Sequence, residues 1–161
     1  MKTKRIVTAA LLAALCCVAT MIIKIPSPLK GYLNLGDCVV LLSGWLLSPF
    51  YGFLAAGLGS ALADIFSGYT AYAPATFIIK GLMAIAAFYI FNSLQRKVRP
   101  LPARIISSIV AETIMILGYY IFEGFLYGFI PSLVNMPANI MQGLLGLIMG
   151  VLLIKKLEKH R

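Results

Sequence analysis

The sequence predicts an all-α integral membrane protein, a compact bundle of six transmembrane helices with both termini in the cytoplasm. Of its 161 residues, 61% are hydrophobic and only 12% are charged, which leaves too few polar side chains to cover a soluble domain of this size. At ~20 residues per span, the apolar stretches have room for about six helices in a single domain over residues 1–161. Most of the chain should therefore lie in a lipid bilayer.

The basic residues predict the orientation of the bundle. Eleven of the fourteen lysines and arginines form three clusters beside apolar runs: Lys2, Lys4 and Arg5; Arg96, Lys97, Arg99 and Arg104; and Lys155, Lys156, Lys159 and Arg161. Because cytoplasmic loops carry the excess of Lys and Arg, even numbers of spans must separate these clusters, and four spans followed by two satisfy this. The net charge of +9 does not indicate nucleic-acid binding, since no surface of aromatic and polar reading residues accompanies the clusters.

The first predicted span, residues 4–23, follows the first basic cluster. It stops before Pro26 and Pro28, which lack backbone donors and favour extended backbone before them. Its start resembles a signal or lipoprotein leader, but Leu15 before Cys16 is a poor cleavage site and the apolar run continues beyond it. We therefore expect an uncleaved first helix.

An outside loop over residues 24–35 separates the first span from two closely spaced ones. Span two, residues 36–47, is short and ends before Pro49. Span three covers residues 50–66, where small residues recur at helical spacing: Gly52, Ala56, Gly59 and Ala63. A stripe of small residues favours close helix packing in a membrane.

The second half of the chain contains the remaining spans, at residues 75–95, 103–125 and 133–154. Pro74 can occupy the first turn of span four, and the second basic cluster marks the cytoplasmic loop that follows. An outside turn containing Gly128 and Pro131 separates spans five and six. No internal repeat is strong enough to indicate two homologous halves.

Polar residues on spans four, five and six predict a shared pocket. They are Thr76 and Lys80 on span four, Glu112, Tyr119 and Glu123 on span five, and Asn135, Asn139 and Gln142 on span six. At ~100° per residue, each set lies on one face of its helix, mostly in the outer half of the membrane. Ionisable residues at this depth are functional candidates by default, and tyrosines nearby can stack on a ligand ring.

Structural roles for these residues remain open alternatives. Amides and tyrosines commonly form hydrogen bonds between spans, and Lys80 could form an ion pair with Glu112 or Glu123. Asp37 and Asp64 fall near the outer ends of their spans, where we expect a solvated charge or a helix cap.

The sequence contains no pattern typical of an enzyme, so we expect no catalytic residues, metal or cofactor. Its single histidine, His160, lies in the tail, and Cys16, Cys17 and Cys38 have neither metal-binding spacing nor an even number. No nucleotide-binding motif is present, so a pump would need energy from another subunit.

Three stretches resemble the substrate-binding S components of energy-coupling factor (ECF) vitamin transporters: GYLNLGD at 31–37, GLGSALAD at 57–64 and APATFIIKG at 73–81. The similarity in size and in the six-span layout extends over nearly the whole chain. It implies a multi-pass protein of the prokaryotic inner, or plasma, membrane that captures a vitamin or precursor from outside. The pocket would lie beneath the loop at 24–35, so that Asn34 joins the eight polar residues as a substrate-binding candidate.

The resemblance also implies partners. Members of this family join a transmembrane T component and two cytoplasmic ABC ATPases, which use the ATP, and the loaded S component topples in the membrane to deliver its substrate. The contact with the T component uses an A-x-x-x-A pattern on span one, present here as Ala9 and Ala13, with Ala10 and Ala14 in the adjacent register. Ordinary packing within the subunit is the alternative explanation for these alanines.

The candidate pocket suits a small polar heteroaromatic ring. A pyridine or pyrimidine type, such as a B6 vitamer or hydroxymethylpyrimidine, is the first expectation, and riboflavin is the second. An alternative function is an autonomous small channel or proton-coupled carrier in which Glu112, Glu123 and Lys80 form a relay. A membrane enzyme acting on lipid is a third possibility, but it would need a cluster of His or acidic residues that the sequence lacks.

Overall fold

The computed structural model describes residues 2–27 and 31–159, which form a helical bundle with one small hairpin. In chain order the elements are α1 (Lys2–Ile22), β1 (Ile25–Pro26), β2 (Tyr32–Leu33), α2 (Gly36–Leu46), α3 (Pro49–Phe66), α4 (Ala73–Leu94), α5 (Pro100–Tyr127), α6 (Phe129–Ser132), a 3-10 turn (Leu133–Asn135) and α7 (Met136–Lys159). The predicted all-α bundle with six principal helices is confirmed.

Five of the principal helices in the described residues are long and apolar enough to cross a membrane. The exception, α2, has 11 residues and a length of ~16 Å, about half of a ~30 Å hydrocarbon core. Its residues Gly36–Trp45 are all buried, with α1, α3, α4 and α7 packed around them. The second predicted span is therefore the centre of the bundle, and the other helices shield it from lipid.

Prolines and glycines determine where several helices begin and end. Pro49, Pro74 and Pro100 each lie in the first turn of a helix, where the missing N–H costs no hydrogen bond. Gly128 follows α5 with φ +95, a backbone conformation that glycine adopts easily.

The segment between α5 and α7 differs from the simple outside turn expected around Gly128 and Pro131. It forms α6 and a 3-10 turn, so α7 begins only at Met136. Asn135 consequently belongs to the 3-10 turn, whereas Asn139 and Gln142 belong to α7. A proline in α6 and another at position 137 favour short helical segments here, because neither can donate a backbone hydrogen bond.

Two glycines permit close helix crossings. A Cβ on Gly59 of α3 would lie 2.4 Å from the backbone oxygen of Ala13 in α1. A Cβ on Gly44 of α2 would lie 2.6 Å from the backbone oxygen of Ala84 in α4. The predicted close packing along α3 therefore operates against α1, and a further glycine brings α2 against α4.

The hairpin covers one end of the bundle. Strands β1 and β2 are antiparallel, and Pro26 pairs with Tyr32. Lys24 Nζ donates to Ser67 Oγ in the loop between α3 and α4 at 2.9 Å, and the rings of Tyr32 and Tyr69 lie 4.7 Å apart. These contacts place the hairpin and the α3–α4 loop over the same space.

An ion pair joins α5 and α7 at the opposite end. The buried Arg104 guanidinium donates to the carboxylate of Glu158 and stacks over the rings of Trp45 and Phe91. Trp45 Nε1 donates to Ser107 Oγ at 3.0 Å. These contacts attach the end of the buried α2 to the long helices around it.

Candidate ligand-binding site

A cavity lies beneath the hairpin, and its empty volume is about 400 Å³ when the part open to the surroundings is included. Its walls come from the hairpin, the α3–α4 loop and helices α3, α4, α5 and α7. The described lining residues are Ser27, Gly31, Tyr32, Asn34, Asp64, Tyr69, Tyr72, Thr76, Tyr119, Glu123, Asn139 and Gln142.

Six of the nine predicted substrate-binding residues line this cavity: Asn34, Thr76, Tyr119, Glu123, Asn139 and Gln142. The other three, Lys80, Glu112 and Asn135, are buried but are not among its lining residues. Four other lining residues were not among the nine: Tyr32, Tyr69 and Tyr72, which were expected only as aromatic side chains around the pocket, and Asp64. A usable signal was present, because Tyr32 and Asp64 fall within the stretches that carry the family resemblance.

Glu123 lines the cavity, and its two carboxylate oxygens differ in their hydrogen-bond partners. Its Oε1 accepts hydrogen bonds from Asn135 Nδ2 at 2.8 Å and from the Tyr72 hydroxyl at 3.3 Å. Its Oε2 is buried and has no hydrogen-bond partner in the described part of the chain. Asn135 and Tyr72 therefore hold Oε1 in place, and Oε2 remains able to accept a hydrogen bond from a ligand.

Asp64 is held by the hairpin. The Tyr32 hydroxyl donates to Asp64 Oδ1 at 2.6 Å, and Asp64 is only 5% exposed. The solvated end charge expected at this position is wrong, because the hairpin covers the end of α3. Burial, and then the neighbouring Asp64 carboxylate, raise the pKa of Tyr32 well above its ordinary value, so the tyrosine keeps the proton that it donates.

Lys80 and Asp37 form a buried ion pair below the cavity, at exposures of 3% and 0%. Asp37 was expected near water, and its complete burial corrects that prediction. The structural alternative for Lys80 was an ion pair with Glu112 or Glu123, and its partner is Asp37 instead. The physical reason is the short α2, which places Asp37 inside the bundle opposite α4. The Lys80 ammonium also lies 5.5 Å from the centre of the ring of Tyr119, which lines the cavity.

A hydrogen-bonded amide connects this ion pair to the cavity wall. Gln142 Nε2 donates to Asp37 Oδ2 at 2.7 Å. Gln142 Oε1 accepts from the Asn34 backbone N–H at 3.0 Å and from Asn34 Nδ2 at 3.2 Å. Both amide residues line the cavity, so its wall is continuous with the buried charges beneath.

Glu112 lies deeper than Tyr119 and Glu123, its predicted partners on the same face of α5. It is 4% exposed, and neither carboxylate oxygen has a hydrogen-bond partner among the described residues. Space for it comes from α7, because a Cβ on Gly143 would lie 3.1 Å from Glu112 Cβ and one on Gly146 would lie 3.0 Å from its Oε1. The predicted stripe is thus divided between the cavity and the layer below it.

The cavity can accept hydrogen bonds and stack on a flat ring. Asp64 and Glu123 are its acidic residues, and none of the described lining residues is basic. Tyr32, Tyr69, Tyr72 and Tyr119 supply aromatic surface. No group of three or more His, Cys, Asp or Glu side chains that could hold a metal ion occurs in residues 2–27 and 31–159.

A shallow apolar groove runs between α1 and α3, away from the cavity. It is lined by Ile6, Ala9, Ala10, Ala13, Tyr51, Leu54, Ala55 and Leu58. Ala9 is buried and Ala13 is half-buried, whereas Ala10 and Ala14 are exposed. The two alanine registers on α1 therefore differ: Ala9 packs within the subunit, and the adjacent register is open to a neighbour.

Comparison with known proteins identifies similar chains over the full length. A family model described as ECF-type riboflavin transporter, S component, matches residues 1–159. The solved structure of the S component of a bacterial ECF transporter is 26% identical, with 99% of this chain and 98% of that chain covered and a TM-score of 0.80.

Two further proteins are similar to most of this chain. The S component for biotin from an ECF-type ABC transporter is 17% identical over 98% of this chain and 92% of its own, with a TM-score of 0.69, a similarity that shows the fold alone. An uncharacterised protein of Pyrococcus woesei is 35% identical over 134 residues, which are 83% of this chain and 87% of the relative.

Proposed function

The chain belongs to the ECF-type riboflavin transporter S component family, and from this we propose that it captures a small, uncharged or cationic heteroaromatic vitamin in the cavity beneath the hairpin. It is a multi-pass membrane protein and a vitamin-binding S subunit, and its family is one of transporter subunits. The identity of the vitamin and the residues that hold it are the subject of the proposal.

The chemistry of the cavity lining carries the proposal. Glu123 Oε2 is a buried hydrogen-bond acceptor without a partner among the described residues. The carboxylate of Asp64 is a second acidic group that lines the same cavity. A ligand that presents hydroxyl or amine hydrogens satisfies these acceptors, and hydrogen bonds to charged groups are worth ~1.5–3 kcal/mol each. Four tyrosines can contact the faces and edges of its ring.

The charge of the cavity lining and the space in the cavity restrict the kind of vitamin that fits. An anionic vitamin would place its charge near the carboxylates of Asp64 and Glu123 in a partly desolvated space, where repulsion is strong. The empty volume of about 400 Å³ includes the part that is open to the surroundings, so the enclosed space is smaller than this and favours a small ligand. A single pyridine or pyrimidine ring with hydroxymethyl or amino substituents, such as a B6 vitamer or hydroxymethylpyrimidine, meets both conditions.

Riboflavin is the second candidate, and the description of the matching family favours it. Its uncharged ring system and hydroxyl-bearing chain also suit tyrosines and carboxylate acceptors. Binding of riboflavin requires more room than one ring, so the hairpin would have to move away from α7.

We also infer the partners and the energy source. A T component and two cytoplasmic ABC ATPases would supply ATP hydrolysis, while the S subunit itself needs no cofactor. The groove between α1 and α3, bordered by the exposed Ala10, gives a partner helix a shallow apolar surface. Close approach at alanine is favourable in a membrane, because association there depends on packing.

A binding screen on the detergent-purified chain tests the function. Pyridoxine, hydroxymethylpyrimidine and riboflavin are titrated, with biotin as the anionic control, and stoichiometry is read by native mass spectrometry. We expect 1:1 binding of one uncharged compound and none of biotin. Biotin binding would contradict the charge argument.

Transport assays separate the S subunit from an autonomous carrier. The chain alone in liposomes should bind ligand without net uptake, whereas addition of the T component, both ATPases and ATP should produce uptake. Ligand or proton flux through the chain alone would support the carrier alternative. Lys80 is engaged by Asp37, so the proposed relay of Lys80, Glu112 and Glu123 lacks a direct contact of the lysine with either acid.

A further inference from the structure

We infer that Lys80 is a positioning residue: it controls ligand affinity from outside the cavity, through a buried chain of contacts that ends at the hairpin. The inference rests on the proposed function only in taking the cavity as the ligand site. It differs from the sequence-based expectation, in which Lys80 contacts the substrate itself.

The first step is the buried ion pair. Lys80 lies on α4 and Asp37 on α2, and both are almost completely inaccessible. A buried pair contributes little net stability, but removal of one partner leaves an uncompensated charge at high cost. We therefore expect the Asp37 carboxylate to move when Lys80 is removed. A neutral side chain at position 37 would not have to move, because it carries no charge to compensate.

The second step is the orientation of the Gln142 amide. A carboxylate only accepts hydrogen bonds, so Asp37 Oδ2 must face the Gln142 NH₂ group, at 2.7 Å. The Gln142 carbonyl oxygen then points in the other direction, toward Asn34. If Asp37 moved or turned, Gln142 would lose the acceptor that holds its NH₂ group on one side. Its amide could then rotate and turn its oxygen away from Asn34.

The third step reaches the hairpin. Gln142 Oε1 accepts from both the backbone N–H and the side-chain amide of Asn34, and Asn34 Oδ1 accepts from the Gly36 backbone N–H at 2.9 Å. Asn34 is thus fixed between the end of β2 and the start of α2. Tyr32, two residues earlier, lines the same cavity, so the position of Asn34 affects both side chains.

Glu112 makes the contribution of Lys80 larger. The Glu112 carboxylate and Asp37 both border Gly146, where a Cβ would lie 3.0 Å from Glu112 Oε1 and 2.6 Å from Asp37 Cβ. Without Lys80, two acids would remain close together in a buried layer. Without the Asp37 charge, Lys80 would still have an acid nearby, so loss of the lysine should be the more damaging of the two changes.

Three variants test the inference in the full-length, detergent-purified chain: Lys80→Met, Lys80→Met combined with Asp37→Asn, and Gln142→Leu. Hydrogen exchange of the segment 31–36 is measured without ligand. Gln142→Leu should increase exchange at Asn34, because the Asn34 N–H loses its acceptor. Lys80→Met should also increase it, because Asp37 no longer holds the Gln142 amide in one orientation. The double variant removes both charges and keeps an acceptor at position 37, so its exchange should return close to that of the wild type.

Binding of pyridoxine and of riboflavin is then titrated with the same proteins. We expect Lys80→Met to weaken binding about tenfold, the change that corresponds to roughly one positioned hydrogen bond, and the double variant to recover most of it. A double variant as weak as Lys80→Met would overturn the inference, because a lysine that contacts the ligand is not replaced by neutralising Asp37.

The exchange experiment separates this inference from the proposed function. If the wild type binds neither probe, the ligand proposal fails, while increased exchange in Gln142→Leu with recovery in the double variant still supports the positioning chain. If Lys80→Met does not fold, Gln142→Leu and the double variant decide. Unchanged exchange at Asn34 in Gln142→Leu would refute the chain of contacts whatever the ligand.

Discussion

Glu123→Gln is the substitution that tests the ligand site most directly. In the wild type, Oε1 of Glu123 accepts from Asn135 and Tyr72, and Oε2 is unpartnered among the described residues. In the variant, the Asn135 NH₂ group still needs an acceptor, so the new amide must keep its oxygen there and place its NH₂ group where Oε2 was. An acceptor for the ligand thereby becomes a donor.

The expected loss follows from the hydrogen bond that disappears. A hydrogen bond to a charged group is worth ~1.5–3 kcal/mol, so the dissociation constant should rise roughly 10- to 150-fold. Scintillation proximity binding with tritiated ligand on the detergent-purified protein measures it. Thermal unfolding should change little, since Tyr72 and Asn135 keep an acceptor.

Two matched variants separate this effect from a general loss of negative charge. Glu158→Gln removes an acid that pairs with Arg104 at the opposite end of the bundle, and affinity should stay within about twofold. Glu112→Gln removes a buried acid that does not line the cavity, so its effect should be much smaller than that of Glu123→Gln. The reasoning is refuted if folded Glu123→Gln binds as tightly as the wild type, or if Glu112→Gln weakens binding as much.

Three further predictions concern packing, assembly and the hairpin. Gly59→Ala should lower the free energy of unfolding by ~1–3 kcal/mol, because its Cβ would meet a backbone oxygen at 2.4 Å. The control Gly150→Ala should be tolerated, because the nearest neighbour of its Cβ is a leucine methyl at 3.3 Å. Equal thermal stabilities of the two variants would contradict this prediction. Ala10→Trp should leave ligand binding intact and prevent co-purification with the T component. Ala9→Trp should destabilise the chain itself, since Ala9 is buried. Normal assembly of folded Ala10→Trp would exclude the groove between α1 and α3 as the contact with the T component. Tyr32→Phe removes the donor to Asp64 Oδ1 and should weaken binding about tenfold, and an unchanged dissociation constant would show that the hairpin contact does not shape the site.

Local patterns in the sequence were sufficient for much of the fold. Long apolar runs and prolines at helix starts have a physical meaning that depends on few neighbours, and they predicted the helical bundle. The region around Gly128, Pro131 and Asn135 was not predicted correctly, because a simple turn was expected where the structure has α6 and a 3-10 turn. Its prolines favour short helical segments, but no periodic pattern tells where such segments begin and end.

The site shows where pattern reasoning stops. Helical periodicity placed Glu112, Tyr119 and Glu123 on one face of α5, and they do share it. Depth along the helix separates them, however, because Tyr119 and Glu123 line the cavity while Glu112 lies beside Asp37 in the layer below. Periodicity reports the direction of a side chain around a helix axis and carries no information on what covers it.

The sequence by itself determined that this protein lies in a lipid bilayer, where its helices are and which residues are available for binding. It could do so because hydrophobicity and backbone preference act locally. Only the tertiary structure decided the partners of its charges. Asp37 and Lys80 are 43 positions apart, and Gln142 and Asn34 are 108 apart. They meet because the short α2 is enclosed by longer helices, and in that buried layer an ionisable group must find a partner or remain uncompensated.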